Sequence, residues 1–228
     1  MEVTTLNQMY PFLTTMGMCI ITIPPPPIAY EAVDLGLPNG TKWAAQNVGA
    51  RKPSDAGLYF QWGDTVGYTA DQVGNGEGQK KFSWSDYKWS IDGSSSNFSK
   101  YRSNGATLEL EDDAAHVHIG GSWHMPTPTQ IQELLDNTTS IWTTQDGVNG
   151  RLFTSKKDGT KSIFIPAAGY ASGGSLIGSG RSGYVWSSLL SPYGINFGQY
   201  LRYSSVNVGF DRSGRSIGRS VRGVLSKD

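Results

Sequence analysis

Between Leu108 and His118 the chain crowds Glu109, Glu111, Asp112, Asp113, His116 and His118 into one short stretch, the grouping that metal chemistry would need. The spacing matches neither a zinc motif, with His or Cys at defined separations, nor an EF-hand loop with its Asp-x-Asp-x-Asp-Gly run. Two readings remain: a weak calcium site at Glu111 to Asp113, or an Asp pair that caps a short helix beginning at Ala114-Ala115, the better match to the local pattern. Gly178-Ser179-Gly180-Arg181-Ser182-Gly183 matches G-x-G-x-x-G, but the strand-like Tyr184-Val185-Trp186 follows where a pyrophosphate-holding helix is required, so a flexible loop is expected. No G-x-S-x-G elbow occurs, none of the three His residues sits in a catalytic motif, and Cys19 has no second cysteine to pair with. The pattern asks for no cofactor and no resident metal, and it points away from an enzyme.

A different chemistry is written between Gly183 and Gly223. From Ser187 to Ser226 there is no Lys, Glu, Trp, Met, Thr, Ala, His or Cys, whereas Ser, Gly, Arg, Tyr, Leu and Val dominate. Tyr, Phe and Arg are the residue types enriched at binding hot spots, and Ser, Gly and Asn serve as adaptable polar fillers. The anchors Tyr184 to Ser188 and Ser220 to Val224 suit a pleated surface, and the alternating pieces Gln199 to Tyr203 and Val206 to Phe210 lie between turn formers. This is the pattern of a rigid frame carrying a changeable surface. The contacts it offers are Leu189, Tyr193, Ile195, Phe197, Tyr200, Arg202, Tyr203, Asn207, Phe210, Asp211 and Arg212. Arg202, Arg212, Arg215, Arg219 and Arg222 read either as a docking face or as solubilising charge, with Arg219 and Arg222 also matching framework positions.

The elements that must hold this surface follow from periodicity and turn chemistry. Thr127 to Asn137 predicts a helix: Thr127 as N-cap, Pro128 at the first position, Gln130 completing a capping box, Ile131, Leu134 and Leu135 on one face. Strands are expected at Val33 to Leu37 and Lys42 to Ala45 around a Pro38-Asn39-Gly40 hairpin, at Leu58 to Trp62, and at Ile141 to Thr144, Arg151 to Thr154 and Ser162 to Ile165. Asp146-Gly147, Asn149-Gly150 and Asp158-Gly159 are the turns among the last three. Asp64 to Gln79 reads as a long surface loop. Phe82, Trp84, Tyr87 and Trp89 then form either a sugar-stacking platform or, as loop-rich domains favour, a satellite core.

At 228 residues with 29 Gly, 11% aromatics and only 17% charged residues, the chain fits one loop-rich β or α+β domain with a tail. A formal net charge of zero gives no electrostatic argument for a nucleic-acid or anionic-membrane partner. Residues 1–30 read as an arm: the apolar Met16 to Ile23 is too short to span a bilayer, no Lys or Arg precedes it as a secretory leader requires, and Pro24 to Pro27 imposes extended polyproline backbone. That arm serves attachment or oligomerisation, or lies as a strand on the outside of the domain over 31–228.

In order along the chain, Ala32-Val33-Asp34-Leu35-Gly36-Leu37-Pro38-Asn39-Gly40-Thr41-Lys42-Trp43-Ala44, Asn47-Val48-Gly49-Ala50, Gly120 to Thr127 (GGSWHMPT), Pro166-Ala167-Ala168-Gly169-Tyr170, Trp186-Ser187-Ser188 and Arg219-Ser220-Val221-Arg222 resemble a domain recurring in Bacteroidales and Fibrobacter surface proteins. The resemblance covers about residues 31 to 225. It implies an α+β chain with the C-type lectin-like fold: loop-rich, short antiparallel strands, one or two helices. The branch implied includes formylglycine-generating enzymes and the variable proteins of diversity-generating retroelements. Rewriting at adenines of Asn-type codons would also produce the narrow alphabet from Ser187 to Ser226, with Gln199 as the one interior residue such codons cannot yield; undiversified relatives have similar segments. The function implied is a receptor or adhesin binding a protein or glycan at a bacterial cell surface or on a phage virion. The alternative is a fixed carbohydrate-binding or structural module of such an assembly, with Trp84 and Trp89 as its site. Formylglycine chemistry is not expected, because the family uses a cysteine pair in the core and Cys19 stands alone in the arm.

Overall fold

Helix formation begins where the chain is locally unambiguous. In the computed structural model, which describes residues 26–227, Thr127 Oγ1 accepts from Gln130 N at 3.2 Å and Gln130 Oε1 accepts from Thr127 N at 2.9 Å. These bonds close the capping box of a helix at Pro128–Asn137 that buries Ile131 and Leu134 completely. The shorter helix Ala114–Ile119 starts on Asp113, whose Oδ1 accepts from Ala115 N and His116 N at 2.9 and 3.0 Å, as the Asp-Asp-Ala-Ala pattern predicts. Asp113 Oδ2 also accepts from Met125 N at 2.8 Å, fastening the segment between the helices to the start of the first.

The remainder is mostly strands, giving a mixed α+β architecture. In chain order the elements are β1 (Ala32–Val33), β2 (Lys42–Ala44), β3 (Tyr59–Phe60), α1 (Ala114–Ile119), α2 (Pro128–Asn137), β4 (Thr138–Gln145), β5 (Val148–Ser155), β6 (Ser162–Pro166), β7 (Tyr170–Ser172), β8 (Ser175–Ile177), β9 (Ser182–Leu190), β10 (Phe197–Ser204), β11 (Val208–Gly214), β12 (Arg219–Ser220) and β13 (Val224–Leu225). The central five-stranded sheet runs β11-β10-β9-β12-β3; β4-β5-β6 form a meander, β1-β2-β13 a small sheet and β7-β8 a ribbon. All pairings among these strands are antiparallel except β12 with β9.

β9 and the middle of β10 carry buried side chains on both faces, and strand alternation decides which side chain enters which core. Val185, Leu201 and Tyr203 face Ile131 and Leu134 of α2 and Phe153, Ile163 and Ile165 of the meander. Trp186 and Tyr200 face the opposite core, with Phe60, Trp62, Leu108 and Ala114-Ala115 of α1. Phe82 belongs to a third, smaller cluster with Tyr59, Ala168 and Ala171.

Several local expectations needed correction. Asp146 and Gly147 both take positive φ, 51° and 78°, and make the two-residue β4–β5 turn, but Asn149-Gly150 is no turn: it lies inside β5. Glycine is required there because a Cβ on Gly150 would meet the Phe164 ring at 2.4 Å. The first hairpin keeps its turn, with Gly40 N donating to Leu37 O at 2.9 Å, but only Ala32–Val33 pairs, since Gly36 at φ 65° bends the chain and sends Leu35 and Leu37 into the core. The long loop 64–79 carries a 3₁₀ turn at Ala70–Gln72. The G-x-G-x-x-G stretch turns the chain from β8 into β9, so a strand does follow it.

The expectations for residues 1–25, including Cys19, lie outside the described residues. The start of the described chain follows the domain surface: Pro26 O accepts from Arg51 at 3.3 Å, and Ala29 O accepts from Gln46 Nε2 at 2.9 Å. Among the described residues no helix is long and apolar enough to cross a membrane.

Candidate binding surface

The segment that holds the predicted contacts folds as the end of β9, a loop over 191–196, the β10–β11 hairpin and the return to β12. Pairing of β10 with β11 places Tyr200 opposite Asp211, Leu201 opposite Phe210 and Arg202 opposite Gly209. Pleating therefore divides the contacts between two faces. Arg202 and Asp211 share the face of Tyr184, Trp186 and Tyr200, where they form an ion pair at 3.6 Å with both side chains more than 40% exposed. An exposed pair of this kind adds little stability, about 0 to 1 kcal/mol, and so is free to be replaced.

Phe210 and Arg212 belong to the other face. Tyr193 reaches back from the loop, 76% exposed, and the Arg212 guanidinium stands 5.0 Å from its ring. Ser191, Tyr193, Gln199, Phe210 and Arg212 enclose a cleft of about 150 Å³ at this rim. Gln199 Nε2 donates to Leu190 O at 3.0 Å, so the one interior residue expected to be fixed ties β10 to the end of β9. Asn207 is exposed at the opposite end of the hairpin, beside Val206 at the turn. Ile195 and Phe197 are half-buried, and Leu189 bridges Thr107 away from the hairpin.

Two predicted contacts are not on the surface. Tyr203 is wholly buried and donates its hydroxyl to Pro166 O at 2.8 Å; burial pushes that hydroxyl's pKa far up, and the residue holds the core rather than a ligand. Tyr200 is 5% exposed, its ring 3.6 Å from the Arg219 guanidinium and edge-on to Trp186. The register of β10 sends both rings inward, a fact that residue type alone does not reveal.

The arginines divide just as sharply. Arg202 and Arg212 are exposed, but Arg215, Arg219 and Arg222 are buried, so they are neither a docking face nor solubilising charge. Among the described residues no carboxylate forms a salt bridge with any of the three. Arg222 instead donates to Asn47 Oδ1, Ala44 O and Phe164 O, each at 2.9 Å. Arg215 lies 3.6 Å from the Phe98 ring centre and donates to Tyr101 O at 3.1 Å. Arg219 is boxed by Tyr170, Tyr184, Trp186 and Tyr200 and donates to Ser213 Oγ at 2.6 Å. Burial lowers the pKa of Arg219 and of Arg222 to about 10, which leaves both charged at neutral pH. Arg151, which the sequence did not single out, clamps the hairpin turn by donating to Ser204 O at 2.6 Å and Asn207 O at 2.9 Å.

The acidic cluster is organised around an internal cation. Glu109, Glu111 and Asp112 converge within 4.8 Å, and the Lys100 ammonium lies among them at 2.7, 3.0 and 2.6 Å. Asp113 turns away to cap α1, so Glu111 to Asp113 do not form a calcium loop. Burial raises the Asp112 pKa, but hydrogen bonds from Lys100, Tyr101 and Lys88 outweigh it and leave the carboxyl below its usual range. A depressed folded-state pKa contributes stability that is present above the unfolded value, about 3.9, and is lost as pH falls through the folded value. Asp113, which burial pushes up, works with the opposite sign. Asp112→Asn is therefore expected to flatten the acid limb of a urea-midpoint profile between about pH 5 and 2; an unchanged limb would show that Asp112 does not carry this linkage.

The aromatic patch also resolves residue by residue. Phe82 and Tyr87 are core, and Trp89 is pinned by its N–H to Gly63 O at 2.8 Å beneath Lys88. Trp84 remains half-buried at the edge of the hairpin. Comparison with protein-family models, curated proteins and solved structures finds no match to this chain.

Proposed function

We propose that this chain is a ligand-binding protein, a receptor or adhesin, in which a C-type lectin-like scaffold presents the β10–β11 hairpin: Tyr193, Phe210 and Arg212 form the rim on one face, Arg202 and Asp211 stand on the other, and Asn207 lies at its tip. The observation that carries this reading is the partition within residues 184–222: frame side chains wholly inside, and exposed Tyr, Arg, Asp and Asn on a strand-supported edge. β11 is the edge of the central sheet, so its outer backbone groups pair with no further strand among the described residues and its side chains stand at the sheet's margin. Tyr and Arg at such an edge supply large contact area and forked hydrogen bonding at low ordering cost. The surface fits a protein or glycan at a bacterial cell surface or on a phage virion, and the narrow alphabet fits adenine-directed diversification of the exposed positions. Its task is recognition and not catalysis.

The test is binding of the full chain to an array of bacterial surface proteins and surface glycans, repeated with Tyr193→Ala and Arg212→Ala. Each variant is expected to weaken the strongest interaction about tenfold or more while shifting Tm by less than about 2 °C. Retention of that interaction by both variants would remove the rim from the binding site.

A further inference from the structure

Beside the hairpin, sharing no lining residue with the Tyr193–Arg212 cleft, lies a second concavity. It measures about 460 Å³ and is walled by Trp84 and Phe197, with Ser95, Ser172, Asn196 and Ser216 around them. Among the described residues no Lys, Arg, Asp or Glu lines it. The volume is within the span of about 300 to 1,000 Å³ usual for small-ligand sites.

Trp84 is held as a fixed platform. It opens the 3₁₀ turn Trp84–Asp86, and Asp86 gathers the backbone N–H groups of Lys81, Phe82 and Ser83 at 3.1, 3.1 and 2.7 Å. Its ring is edge-on to Tyr87 and tilted against Phe98, both at 5.7 Å, and Phe98 is itself capped by the buried Arg215. A Cβ on Gly214 would stand 3.1 Å from the indole, so glycine at that position keeps the ring's place open. Trp62, Trp89 and Trp186 each give their indole N–H to a backbone carbonyl; Trp84, like Trp43, Trp123 and Trp142, donates to no protein acceptor among the described residues. Behind the wall, the buried Gln61 donates to Ser83 O and Ser216 O, and its Oε1 finds no donor among the described residues. The groove thus joins rigid aromatic walls with hydroxyl and amide groups, and among the described residues no charged side chain lines it.

We propose that this groove binds a neutral pyranose unit of a glycan, at a site separate from the β10–β11 rim. A pyranose has an apolar C–H face to lie on a ring and a girdle of hydroxyls for Ser and Asn, the pairing that an aromatic with a polar edge accommodates. An anionic sugar would give up hydration without meeting a cation, which disfavours it. Only the aromatic platform of the carbohydrate-module alternative enters here, and it narrows from Trp84 with Trp89 to Trp84 with Phe197.

The experiment presents the full chain to arrays of neutral gluco-, galacto-, manno- and xylo-oligosaccharides beside sialylated, uronate and sulfated ones. It then titrates the best neutral binder against the protein's indole N–H resonances by NMR. Binding by at least one neutral series is expected, with the Trp84 indole signal shifting most. Trp84→Ala and Phe197→Ser should each weaken binding about tenfold or more, while Tyr193→Ala and Arg212→Ala leave it unchanged. Trp84→Phe, which keeps a ring but not the N–H, gives an intermediate loss and serves if the alanine variant does not fold. No neutral oligosaccharide bound at about 10 mM, a concentration that detects even millimolar affinity, would overturn the proposal. So would selective binding of charged glycans, or full affinity in a folded Trp84 variant. Loss in Tyr193→Ala with retention in Trp84→Ala would assign the sugar to the rim and reject the groove.

Discussion

Arg222→Ala is expected to destabilise the fold by about 4 kcal/mol, or to prevent its accumulation altogether. The guanidinium is wholly buried and joins three otherwise separate parts: Ala44 in β2, Asn47 in the loop that follows and Phe164 in β6. Truncation leaves two backbone carbonyls and an amide oxygen without donors in a dry interior and opens a cavity the length of an arginine. Each hydrogen bond to a charged group contributes about 1.5 to 3 kcal/mol, and the three share one donor group, so their losses do not simply add. Arg222→Lys keeps a charge but not the planar fork that reaches three acceptors, and should recover less than half of the loss. Urea denaturation of wild type and both variants checks this; a loss below about 1 kcal/mol for Arg222→Ala would mean that these contacts are not what joins the sheets.

Trp186→Ala is expected to cost a similar amount, about 4 kcal/mol, for a different reason. The indole is fully buried, gives its N–H to Phe60 O at 2.8 Å, and supports both the Tyr200 ring at 5.6 Å and the Arg219 guanidinium at 4.9 Å. Removing it empties the centre of one core and takes a wall from the aromatic box. Trp186→Phe restores most of the volume and should recover about half, the lost indole N–H to Phe60 O being the remaining penalty. Thermal unfolding of both variants measures the difference; equal Tm values for alanine and phenylalanine would contradict the packing argument.

What could be read from the sequence was what neighbouring residues decide. Thr127, Pro128 and Gln130 declare the start of α2 without help from the rest of the chain, and Asp113 does the same for α1. Asp146-Gly147 and Asn149-Gly150 carry the same kind of turn signal three residues apart, and the choice between them is made by Phe164, which packs against Gly150 from the neighbouring strand. Tyr193 and Tyr203 are equally plausible contacts by type; the loop over 191–196 exposes the first, and the register of β10 against β9 buries the second. Arg215 looks like surface charge until Phe98 and the Tyr101 carbonyl, both more than 110 residues earlier in the chain, come into place around it. The site was legible as a segment, and its division into frame and rim required the fold.

On the function proposed above, residues 184–222 combine an immovable frame with a replaceable rim. Saturation mutagenesis of this whole segment in a display format, sorted for folded protein by protease resistance, tests it without knowledge of the ligand. Tyr193, Arg202, Asn207, Asp211 and Arg212 should accept most substitutions, while Trp186, Tyr203, Arg215, Arg219 and Arg222 accept few. Intolerance at the first set, or broad tolerance at the second, would contradict the account.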